Sequence, residues 1–137
     1  MILESFTRAF DLVLTLDKDF FEILLLSMKV SCLSLLLSCL VGLPIGTYLA
    51  IKNFWGRDTV IIIFNAMMGL PPVVVGLIVY LLISRSGPFG WLGVLYTPTA
   101  MIIAQMILII PIIVSLTAQI IEEINEEYKD LFKSLVI

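Results

Sequence analysis

Residues 59–84 read TVIIIFNAMMGLPPVVVGLIVYLLIS, with no charged side chain from Thr59 to Ser84 and with Gly69, Leu70, Pro71 and Pro72 at the centre. A run this apolar exceeds the ~20 residues that cross a bilayer core as a helix. Two adjacent prolines remove two backbone donors and clash with the preceding turn, so the helix must break or kink sharply between Met68 and Pro72. In lipid the carbonyls freed there would be costly, and broken helices occur where neighbouring protein or a water-filled path satisfies them. A solute path is the functional expectation for this break; a plain packing kink is the other.

The flanking sequence has the same character. No charge occurs from Ser86 to Ile121, and only Lys29 from Ile23 to Ile51. The whole chain of 137 residues is 61% hydrophobic and 14% charged, with a mean hydropathy of +1.14, which lies outside the soluble range. An open sheet would leave backbone groups unpaired in lipid, and a barrel would alternate apolar and polar residues in segments of about ten, so helices are the remaining solution. The sequence predicts an all-α integral membrane protein in one domain, 1–137. It has an N-terminal interfacial helix and three transmembrane helices at about 21–51, 59–83 and 98–121.

In the first span Ser27, Ser31, Ser34, Ser38, Gly42 and Gly46 recur at steps of three or four. Such a small-residue stripe lets another helix approach closely, and Gly42 and Gly46 form a GxxxG pair. Pro44 should bend this helix near its end. Lys29 reads as a residue snorkelling toward the outer end, with attraction of an anion as the sharper alternative. Residues 52–58 form an aromatic and basic interfacial turn, and 84–93 a second turn rich in glycine and aromatics. Pro98 opens the third span, and Pro111 implies another kink within it.

At the N-terminus Ile2, Phe6, Ala9, Phe10, Val13 and Leu16 share one helical face opposite Glu4, Arg8, Asp11 and Thr15. That pattern fits a helix lying on the membrane surface, and with no basic leader it is not read as a signal peptide. After the third span Glu122, Glu123, Glu126, Glu127 and Asp130 oppose Ile121, Ile124, Tyr128, Leu131 and Leu135, so the helix should continue out of the membrane. Lys52, Arg57, Lys129 and Lys133 against Arg8, Lys18 and Arg85 lean the C-terminus to the cytoplasm and the N-terminus to the outside.

The chemistry excluded is equally informative. There is no histidine, metal-ligand cluster or phosphate loop, so no metal or cofactor is expected in this chain. The net charge of −3 without a basic patch disfavours nucleic acid. Cys32 and Cys39 stand about 10 Å apart along a helix, too far for a disulfide, and read as packing residues. An intramembrane enzyme would need a nucleophile, base or metal within the spans. A membrane adaptor would give no reason for the proline break. Acids are absent deep in the spans, which argues against proton or sodium coupling.

The stretches 68–77 (MGLPPVVVGL), 80–88 (YLLISRSGP) and 96–105 (YTPTAMIIAQ) closely resemble tungstate-type ABC importer permeases, a likeness that extends over essentially the whole chain. A looser version is shared with molybdate and sulfate permeases. The resemblance implies part of an ABC type I importer transmembrane domain. Its partners would be a second permease copy, cytoplasmic ATPase subunits that use ATP and Mg, an external substrate-binding protein and membrane lipid. It also implies a plasma-membrane location.

Five spans per subunit are expected in that family, and its cytoplasmic Glu-Ala-Ala loop is absent here. Glu126, Glu127, Tyr128 and Lys129 would be the approach to that ATPase-coupling region. The chain is therefore expected to be a fragment of a longer permease, the alternative being a truncated remnant or a non-transporting adaptor. Gly69, Leu70, Pro71, Pro72 and Val75 are the candidate path or gate. Ser31, Ser34, Ser38, Gly42 and Gly46 are the candidate helix-packing residues.

Overall fold

Two long helices carry the architecture. In the computed structural model, which describes residues 1–15 and 17–136, these are α2 (Lys18–Ile51) and α5 (Pro98–Leu135), with 34 and 38 residues. At ~1.5 Å of rise per residue both are longer than the ~30 Å hydrocarbon core. The fold begins with α1 (Ile2–Leu14); α3 (Arg57–Met68), α4 (Pro72–Ile83) and a 3-10 turn at Gly90–Leu92 lie between α2 and α5. No strand occurs among the described residues.

Each long helix runs helically through an interior proline, Pro44 in α2 and Pro111 in α5. The Pro71–Pro72 pair behaves differently because the restrictions compound. Pro72 bars Pro71 from the α region, and Pro71 sits at φ −64°, ψ 140° as the residue before α4. Leu70, itself before a proline, is likewise outside any helix. The axes of α3 and α4 consequently meet at a bend of 101°.

α2 packs against α5, and the contacts show the two running parallel. A Cβ on Gly42 would lie 2.8 Å from Ile113 Cγ2, and one on Gly46 2.7 Å from Thr117 Cβ and 2.9 Å from the Val114 carbonyl oxygen. One turn forward in α2 thus corresponds to one turn forward in α5. Ser34, Ser38, Gly42, Gly46 and Leu49 are buried on α2, and Pro111, Val114, Ser115 and Ala118 on α5. Small residues let the backbones close in, so dispersion contacts replace the hydrophobic drive that lipid does not supply.

A side chain at position 46 has nowhere to go except by separating the helices. Gly46→Val should therefore destabilise the fold by about 1–3 kcal/mol, the usual scale for overpacking. A lowered thermal midpoint of the detergent-solubilised protein would register it, and an unchanged midpoint would contradict this packing.

Because α2 and α5 run the same way, the segment between them must return the chain. α3 starts beside Leu49 and Glu122, whereas α4 buries Val75, Val79 and Ile83 against Val94, Leu95, Ala100, Ala104 and Leu108. α3 and α4 together therefore lead from the C-terminal end of α2 back to the N-terminal part of α5. Two helices are each long and apolar enough to cross a membrane, and the bent pair makes a third where it counts as one span.

α1 contributes no buried residue. Its apolar face, including Phe6, Phe10 and Val13, is exposed. Leu16, assigned to that face in the sequence, lies outside the described residues. The far end of α5 continues beyond Ile121 to Leu135 as one helix, with Glu126, Glu127, Tyr128 and Lys129 exposed.

Candidate functional site

The break between α3 and α4 is the irregular backbone at the middle of the return segment. α3 ends in tight turns, with the Gly69 N–H donating to Ala66 O (3.2 Å) and the Leu70 N–H to Met67 O (3.1 Å). Across the break, Pro72 has no N–H, and the Val74 and Val75 N–H groups both donate to the Pro71 carbonyl, at 3.1 and 3.3 Å. In the first turn of α4 this leaves the Val73 N–H without a backbone acceptor. The anion-attracting capacity of this helix N-terminus is correspondingly small.

Gly69, Leu70, Pro71 and Pro72 form an exposed apex together with Val73 and Val74. Val75 does not share that face, because it is buried in the cluster that holds α4 to the connecting loop and the start of α5. Gly69 has φ −85°, and its nearest neighbour to an added Cβ is 3.5 Å away, so nothing within the chain requires glycine there.

The packing residues divide as well. Ser34, Ser38, Gly42 and Gly46 face α5, but Ser31 is exposed, as is Ser27 before it. Ser34 Oγ donates to Val30 O at 2.7 Å, while Ser38 Oγ and Ser115 Oγ are buried without a hydrogen-bond partner. These hydroxyls are enclosed within the helix pair and line no open path. Lys29 is exposed. Cys32 is exposed, Cys39 is half-buried, and both are free thiols.

A polar clasp at the start of the return segment was not anticipated from the sequence, where Arg57 read only as an interfacial charge. The Arg57 guanidinium is bonded to Glu122 through Nη2, its Nε donates to Leu49 O at 2.6 Å, and its side chain is only 19% exposed. It ties the ends of α2 and α3 to α5 at the level where α5 turns acidic. Beside it Asn53, Asn125, Glu126 and Lys129 line a polar cleft of about 320 Å³. The signal available in the sequence was an arginine just before one uncharged stretch and a glutamate just after another. Among the described residues no cluster of His, Cys, Asp and Glu could hold a metal ion.

The glycine pair, the broken return segment and all of α5 fall within residues 42–135, which match the family described as binding-protein-dependent transport system inner membrane component. The chain belongs to that family. It is thus an inner-membrane protein, in agreement with its apolar helices.

Among curated relatives, it is 35% identical over 98% of its length to the tungstate uptake system permease protein TupB of Peptoclostridium acidaminophilum, covering 59% of that protein. To a probable anion ABC transporter permease protein of Haloferax volcanii it is 39% identical over 76% of its length, covering 45% of that protein. To TupB of Campylobacter jejuni it is 34% identical over 97% of its length, covering 56% of that protein. The chain spans about half the length of the curated relatives it matches. No solved structure matches it.

Proposed function

We propose that this chain is the front part of the permease subunit of an ATP-driven ABC importer and forms part of the membrane path for an oxyanion, tungstate. The observation that carries this reading is the likeness, over nearly the whole chain, to two tungstate uptake permeases. Molybdate and sulfate are the alternatives within the same class.

In this reading α3 and α4 are one broken span, supported by the parallel course of α2 and α5, which requires the intervening segment to cross back. The exposed apex at Gly69, Leu70, Pro71 and Pro72 lines or gates the path. Val75 anchors the α4 side of the break. An ion with two charges cannot enter hydrocarbon, so the apex needs a second permease copy to enclose a polar route. The absence of a steric need for glycine at position 69 fits close approach by such a copy.

The Lys52–Arg57 end faces the cytoplasm and the N-terminus the outside. Energy comes from cytoplasmic ATPase subunits that bind ATP and Mg. The exposed Glu126, Glu127, Tyr128 and Lys129 lead toward them, and an external binding protein delivers the ion to the opposite end.

Tungstate uptake by cells that lack their own oxyanion permeases and carry the full-length gene with its partners tests this. ATP-dependent accumulation, competed by molybdate and sulfate only at higher concentration, is expected. Accumulation no greater than in cells with an empty vector would refute it.

A further inference from the structure

Between Asp58 and Glu122 the sequence carries one charged side chain, Arg85. A cation in so uncharged a stretch needs water or an anion. The ion pairs among the described residues all involve Arg57, so Arg85 has no carboxylate partner there. It lines a cavity of about 560 Å³ together with Tyr80, Ser84, Ser86 and Tyr96. No acid contributes to that lining.

This cavity is a built feature. The Gly87 N–H donates to Ser84 O at 2.8 Å, closing a tight turn with Arg85 and Ser86 at its centre, and the Phe89 N–H donates to Leu82 O at 3.0 Å, tying the loop onto α4. A Cβ on Gly87 would lie 2.2 Å from Leu81 O, and one on Gly90 2.4 Å from Ser84 O, so neither position admits a side chain. Tyr96 holds φ +62°, a left-handed conformation seldom adopted by residues other than glycine. The Ser84 and Ser86 hydroxyl oxygens are 3.5 Å apart, and the Arg85 and Ser86 N–H groups have no backbone acceptor among the described residues. The Ser84 hydroxyl donates to Leu81 O at 3.2 Å, so the donors left for a ligand are the Arg85 guanidinium, the Ser86 hydroxyl and these two amides, and no acid in the lining competes for them.

We infer that this cup receives a tetrahedral oxyanion at the end of the bundle opposite the Arg57–Glu122 clasp, with the Arg85 guanidinium as its charge partner. A planar guanidinium fork suits two oxygens of one tetrahedral anion, and charge-assisted bonds of this kind are the strong ones. The same chemistry serves a free oxyanion entering the path or the phosphate of a lipid headgroup. The inference rests on the proposed transport reading only in taking this end as the outer one.

The full-length permease in a neutral maltoside detergent, dialysed to equilibrium against sodium tungstate, tests it. Wild type should retain tungstate, and Arg85→Gln should lower the retention about tenfold or more. Gly87→Ala, which keeps the charge but not the turn, should lower it too, and Arg85→Lys should fall between. Phospholipid that co-purifies with wild type and is lost in Arg85→Gln, measured by phosphorus content, would support the cup with a lipid phosphate as occupant. Retention of neither anion by wild type, or equal retention by Arg85→Gln, overturns the inference. So does an Arg85→Gln variant that only loses thermal stability, as expected of a cation that merely complements the C-terminal end of α4. Should Arg85→Gln fail to fold, equal retention by wild type and Arg85→Lys overturns the fork's role. Intact uptake in cells without Arg85-dependent binding would remove the cup alone, whereas absent uptake would remove the transport reading and leave dialysis to decide the cup.

Discussion

Replacing Pro71 and Pro72 together by alanine in the full-length permease should reduce oxyanion uptake to background while the protein remains in the membrane. Alanine restores two backbone N–H groups and frees Leu70 and Pro71's position from the restriction that precedes a proline. Each Pro→Ala change favours a continuous helix by about 3 kcal/mol. The 101° bend would then give way to one helix over residues 57–83, about 40 Å long. Such a helix can still cross the bilayer, so membrane abundance should hold, but the exposed apex would vanish. Uptake by the double variant equal to wild type, at equal abundance by immunoblot, would show that the break is a packing kink and no part of the path.

Arg57→Ala should lower stability by about 2 kcal/mol, on the scale of a charged hydrogen bond lost together with its partners' satisfaction. The Leu49 carbonyl and the Glu122 carboxylate both lose their donor, and the turn joining α2 to α3 comes free from α5. Glu122→Ala should cost less, because Glu122 is 41% exposed and the Leu49 bond survives. The exchange Arg57→Glu with Glu122→Arg should restore only part of the loss, since a glutamate at position 57 cannot donate to Leu49 O. Thermal midpoints in detergent of wild type, the two single alanine variants and the Arg57→Ala, Glu122→Ala double variant would measure the coupling. Additive effects of the two single substitutions would mean that the clasp contributes nothing as a pair. Uptake should fall alongside stability in Arg57→Ala, because the clasp holds the end of the bundle from which Glu126 to Lys129 project.

Much of the fold was legible because it depends on solvent and on local sterics. The absence of charge across 59–84 and 86–121 requires burial in lipid whatever the tertiary arrangement. Pro71 and Pro72 break their helix wherever it sits, and Gly42 and Gly46 mark a close helix contact whoever the partner is. The opposed acidic and apolar residues after Ile121 continue as helix because their period is helical. The single prolines 44 and 111 lie inside continuous helices, since one lost hydrogen bond can be absorbed by a helix that its neighbour supports.

The candidate site was legible only in outline. Pro71 and Pro72 could be named from sterics, but the burial of Val75 away from the apex depends on which face of α4 meets residues 94–108. The serine stripe likewise predicted a contact without saying that it would stop short of Ser31. Arg85 was visible as an isolated charge, but its surroundings come from a loop locked back onto α4.

By itself, then, the sequence determined that this is an all-α membrane protein with a break at Pro71–Pro72 and an amphipathic extension beyond Ile121. Those features follow from transfer energies and backbone sterics acting within a few residues. The tertiary structure alone decided that α2 and α5 run parallel, that the break turns the chain by 101°, and that Arg57 meets Glu122 across 65 residues of sequence. Such pairings depend on which apolar faces can approach most closely, a competition among distant segments that no local pattern encodes.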